Sequence, residues 1–100
     1  MIAIKAIGQQ HLSDLTSVVF PPEDQAAIFN RQLRIAIYNG RTFPEGNKIV
    51  QGSWIALHSI GAITEYQYSN LIAAYCNTKE GSAWSNMEDD AIIAWCGGVV

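Results

Sequence analysis

PEDQAAIFNRQLRIAIYNG, residues 22–40, has two readings, and the choice between them decides the fold. As a helix it starts well. Pro22 supplies a fixed φ for the first turn, and Glu23 and Asp24 complement the positive end of the helix dipole. Asn39-Gly40 then suits a left-handed C-terminal cap. As strands, Leu33, Ile35 and Ile37 alternate, and Asn-Gly is a strong hairpin signal for a strand pair around residues 34–43. The helix is favoured because the apolar spacing from Ala26 is unbroken and Ala, Gln, Arg and Leu dominate. Residues 33–43, helix end or hairpin, are where the two readings part.

Working outward, Leu12, Leu15, Val18 and Val19 lie at helical spacing, so residues 11–20 read as a short helix ended by Pro21-Pro22. Residues 1–7 alternate in part and suit a short N-terminal strand or a first helical turn. Downstream, residues 41–48 form a loop around Pro44 and Gly46. Val50, Trp54 and Leu57 mark a helix over 49–60 that stops at Gly61. Thr64-Glu65-Tyr66-Gln67 is a capping box opening a helix to about Asn77. Gly81 marks a turn, Ser85-Asn86-Met87-Glu88 repeats the capping-box pattern, and Gly97-Gly98 stops the last helix. Ile72–Asn77 faintly echoes Ile92–Gly97, too little for a repeat architecture. The expected fold is all-α, four to five short helices in an orthogonal or bundle-like domain.

The chain has 100 residues, 49% apolar and 15% charged, which fits one domain and argues against disorder. The first ten residues lack a secretory pattern, and two cysteines make no disulfide framework, so the cytoplasm is the expected compartment. Net charge is −3 and unevenly spread. Lys79 alone faces Glu65, Glu80, Glu88, Asp89 and Asp90 in the second half. Four of the six cations, Arg31, Arg34, Arg41 and Lys48, share one 18-residue stretch.

Chemistry is hard to place. His11, His58, Cys76 and Cys96 show no metal-ligand spacing, and Cys76 and Cys96 read as small buried hydrophobes. If the last two helices pair antiparallel, the two sulfurs stand roughly 15 Å apart, too far for a disulfide. Both cysteines end helices, where the dipole disfavours thiolate. Glu88, Asp89 and Asp90 fan out around a helix start and do not converge on one ion. No phosphate loop or dinucleotide fingerprint occurs, so neither cofactor nor metal nor enzymatic activity is expected.

Residues 51–77 have helix-turn-helix spacing, but the second helix carries no Lys or Arg to meet phosphate, so an ordinary αα-hairpin is preferred. What stands out is apolar surplus. Ile28 and Ile35 lie off the main stripe of residues 22–40 beside Arg31, and Tyr66 projects away from the stripe of its own helix. Contiguous exposed apolar groups mark interfaces, and aromatics with arginine are common anchors. The expected function is therefore non-catalytic: a protein-binding inhibitor, immunity factor or adaptor, of the kind phage encode. It would bind another protein, or itself as a homodimer, through Ile28, Arg31, Ile35 and Tyr66, with no membrane partner. The alternative is a small DNA-binding protein using Arg31, Arg34, Arg41 and Lys48 on phosphate. A third option is a small enzyme using His58 or a cysteine.

Overall fold

A computed structural model describes residues 19–100, and within them every regular element is helical. The strand expected over residues 1–7 and nearly all of the helix over 11–20 lie outside the described residues; Val19 and Phe20 belong to no element. Four helices follow: α1 (Pro22–Thr42), α2 (Lys48–Ser59), α3 (Glu65–Asn77) and α4 (Asp89–Trp95). One buried cluster draws on all four. No described helix is long and apolar enough to cross a membrane.

The choice at residues 33–43 falls to the helix, and α1 runs through Asn39-Gly40 to Thr42. The left-handed cap expected at Gly40 is absent, since its φ is not positive. This glycine serves another purpose. A Cβ there would lie 2.5 Å from the Tyr75 carbonyl and clash with the Thr78 hydroxyl. α1 thus crosses the end of α3 at backbone contact, and only glycine leaves the room. Asn39 is buried beside the crossing, its amide donating to the Ile35 carbonyl at 2.8 Å.

That amide oxygen accepts from the Asn47 side chain at 2.8 Å. Asn47 is also the N-cap of α2, accepting from the Ile49 and Val50 amides, and its own amide donates to the Tyr75 hydroxyl. The loop between α1 and α2 is thereby tied to both α1 and α3. α2 contributes one fully buried side chain, Trp54, whose indole packs edge-on against Tyr75 at 5.6 Å and donates to Gln32 at 3.0 Å. At its end Gly61, φ 80°, closes a Schellman motif: Ala62 donates to Leu57 and Gly61 to His58.

α3 begins as its sequence requires. Thr64 and Gln67 exchange both capping-box hydrogen bonds, at 3.0 and 2.8 Å, and the helix ends at Asn77. The second capping box does not form. α4 starts at Asp89 with Glu88 as N-cap and no side-chain capping bond. The Ser85 amide that a capping box would use donates instead to the Ser82 carbonyl, and the turn is clasped by Arg41, whose guanidinium takes the Ser85 and Met87 carbonyls at 2.7 Å each and pairs with Asp89 at 3.2 Å. Residues 82–87 become successive turns. α4 packs on α1 instead of lying back along α3.

The glycines make a paired test. Gly40→Ala is expected to destabilise by about 1–3 kcal/mol through overpacking. Gly52→Ala, in the interior of α2 with nothing within 4 Å of its added methyl, should stabilise by about 1 kcal/mol. Urea midpoints moving in opposite directions at constant slope would check both.

Candidate functional site

The C-terminal end of α4 builds an exposed aromatic corner. Gly97, φ 86°, closes a second Schellman motif, with Gly98 donating to Ile93 and Gly97 to Ala94. Gly98 then lies flat on α1, where a Cβ would fall 2.7 Å from Leu33 and 2.8 Å from Ile93. The Val99 amide donates to Asn30 of α1 at 2.9 Å, and Asn70 of α3 donates to the Cys96 carbonyl at 3.0 Å. Residues 96–99 are therefore held from both α1 and α3.

Around this pinned backbone, large apolar side chains face outward. Tyr66 stands beside Gly97, whose Cβ would be 3.8 Å from its ring, and is 68% exposed. Trp95 and Val99, each two residues from Gly97 and so within about 7 Å along the chain, are 73% and 69% exposed. Tyr66 was legible in the sequence; Trp95 was not singled out. Its signal is the Trp-Cys-Gly-Gly run, where two glycines end the helix beginning two residues after an aromatic.

The other expected contact residues sit elsewhere. Ile28, Arg31 and Ile35 share one side of α1, with Arg31 exposed and both isoleucines half-buried. Ile28 packs against the core. Asn30 and Leu33, which hold the tail, lie roughly opposite on the α1 circumference. Tyr66 therefore does not join the Ile28–Arg31–Ile35 group.

The four basic residues also separate in role. Arg41 is occupied by two carbonyls and Asp89, between two shallow open clefts of about 440 and 400 Å³. Arg31, Arg34 and Lys48 are exposed. α3, the second helix of the candidate helix-turn-helix, buries Leu71, Ala74 and Tyr75 and shows Glu65, Tyr66 and Ser69 to solvent. No group of three metal-ligating side chains gathers among the described residues. His58 stacks on Tyr68 at 5.2 Å.

Both cysteines are free. Cys96 is the buried hydrophobe expected, and burial raises its thiol pKa. Cys76 is a correction: it is exposed on the outer side of α3, because the tyrosine before it, Tyr75, takes the inward position.

No protein-family model matches the chain, and neither a curated protein nor a solved structure is significantly similar to it.

Two outcomes follow from this geometry. Ellman's reagent should titrate one thiol rapidly in the native protein, lost in Cys76→Ser, and the second only in denaturant. Arg41→Gln should cost about 1 kcal/mol and speed amide exchange in residues 85–89, measured by mass spectrometry.

Proposed function

We propose that the chain is a non-catalytic protein-binding module, a stoichiometric inhibitor, immunity factor or adaptor, that grips another protein or a second copy of itself. The supporting observation is the corner formed by Tyr66, Trp95 and Val99. All three are more than two-thirds exposed; Trp95 and Val99 flank a chain reversal held by Asn30, Asn70 and Gly98, and Tyr66 of α3 stands beside Gly97 within it. Exposed aromatics on rigid backbone lose little entropy on binding, and tyrosine and tryptophan are frequent anchors. Arg31, with Ile28 and Ile35 beside it, offers a secondary contact region on the far side of α1. A phage or mobile-element origin is an association with small size and absent cofactor motifs.

The test is capture from the native host, followed by binding measurements with the recovered partner. Complex formation should survive high salt and weaken about tenfold or more in Tyr66→Ala and Trp95→Ser, with Cys76→Ser as a silent control. If self-association is the mode, light scattering at two concentrations shows a mass that falls in the same variants. Unchanged affinity in both aromatic variants would overturn the reading.

A further inference from the structure

We infer that the outer face of α1 is a docking surface for an acidic, partly apolar segment of a partner protein. This rests on the reading of the chain as a binding module and gives an occupant to the Arg31 side of α1, away from Tyr66, Trp95 and Val99. Arg31, Arg34 and Tyr38 fall within about 60° of arc on the side of α1 turned away from its buried residues. Arg31 and Arg34 are exposed, and among the described residues neither has an ion pair or side-chain hydrogen bond. Tyr38 is 60% exposed and braced edge-on by Phe43 at 6.3 Å. Half-buried Ile35 borders the strip.

The charge pattern selects the occupant. The strip itself carries two guanidiniums and no carboxylate; Asp24 lies two turns away, and the Glu88–Asp90 group belongs to the start of α4. Two arginines one turn apart match a pair of carboxylates one turn apart on a facing helix, each able to accept two parallel hydrogen bonds. Tyr38, Phe43 and Ile35 give the apolar part of such a segment something to cover. Nucleic acid fits less well. With Arg41 engaged by Asp89, the strip offers phosphate only two cations, and Phe43 and Ile35 contribute nothing to a backbone contact.

The experiment uses three fluorescein-labelled probes on the full chain: a helix-forming peptide of Glu, Ala and Leu with glutamates paired one turn apart, its Lys-for-Glu counterpart, and a short DNA duplex. Anisotropy should show the acidic peptide binding best, with affinity falling as salt rises. Arg31→Gln plus Arg34→Gln should weaken it about tenfold, and Tyr38→Ser several-fold. Circular dichroism confirms the fold of each variant, and the changes lie on an exposed face. Tyr66→Ala plus Trp95→Ser should leave peptide binding intact, which separates this surface from the aromatic corner. No binding of the acidic peptide, equal binding of the lysine peptide, tighter binding of the duplex, or indifference to the arginine changes would each overturn the inference.

Discussion

The rest of the structure depends on how closely α1 lies on α3. At Gly40 the two helices meet without an intervening side chain, against Thr78 and the carbonyl of Tyr75. That closeness lets Leu33, Ala36 and Ile37 reach Leu71 and Ala74 in a shared buried cluster. It also fixes where the Tyr75 hydroxyl emerges, and the loop to α2 is built around that hydroxyl through Asn47. α2 then needs only one large anchor, Trp54, to stay in place. α4, with seven residues, is held largely from outside itself, by Arg41 at its start and by Asn30 and Asn70 at its end. Short helices gain little from their own hydrogen bonds, so this dependence on neighbours is physically necessary.

A helix that is central in this way has a limited free surface. α1 turns one side to α3, takes α2 through Gln32 and Asn39, and takes α4 through Arg41 at its start and Asn30 at its end. Among the described residues, the strip bearing Arg31, Arg34 and Tyr38 is left outside these contacts. Exposed large apolar side chains are spread over the described residues, some near the last chain reversal at Tyr66, Trp95 and Val99, some along α2 at Ile49 and Ile55, and others at Val19, Tyr38 and Phe43. Half-buried Ile28 and Ile35 contribute less to this exposure than their wheel positions suggest.

Local signals were legible in the sequence wherever the deciding contacts are themselves local. The Thr64–Gln67 capping box and the Gly61 and Gly97 stops involve residues within five positions of each other, and all three form as read. The misread signals were overridden from a distance. Gly40 has the sequence mark of a terminator, but a partner 35 residues away makes it a crossing point. Ser85–Glu88 has the mark of a capping box, but Arg41, more than 40 residues upstream, takes the carbonyls around it. Cys76, expected as a small buried hydrophobe, is exposed because Tyr75 occupies the inward position. Of the candidate site, Tyr66 and Arg31 could be found from wheel geometry. Trp95 could not, because its exposure depends on where the Gly97-Gly98 chain reversal meets α1.

The burial of Trp54 against the exposure of Trp95 has an optical consequence. The two indoles occupy opposite extremes of solvent access, one donating to Gln32 in the core and the other at the rim. A collisional quencher such as iodide will reach the rim indole and spare the central one. Trp84, the third tryptophan, is half-buried against the core and lies between these extremes, so the fraction of emission that iodide quenches first is the one that reports on anything settling over the carboxyl-terminal edge. The molecule thus carries, without labelling, a gauge of occupancy in its most exposed indole.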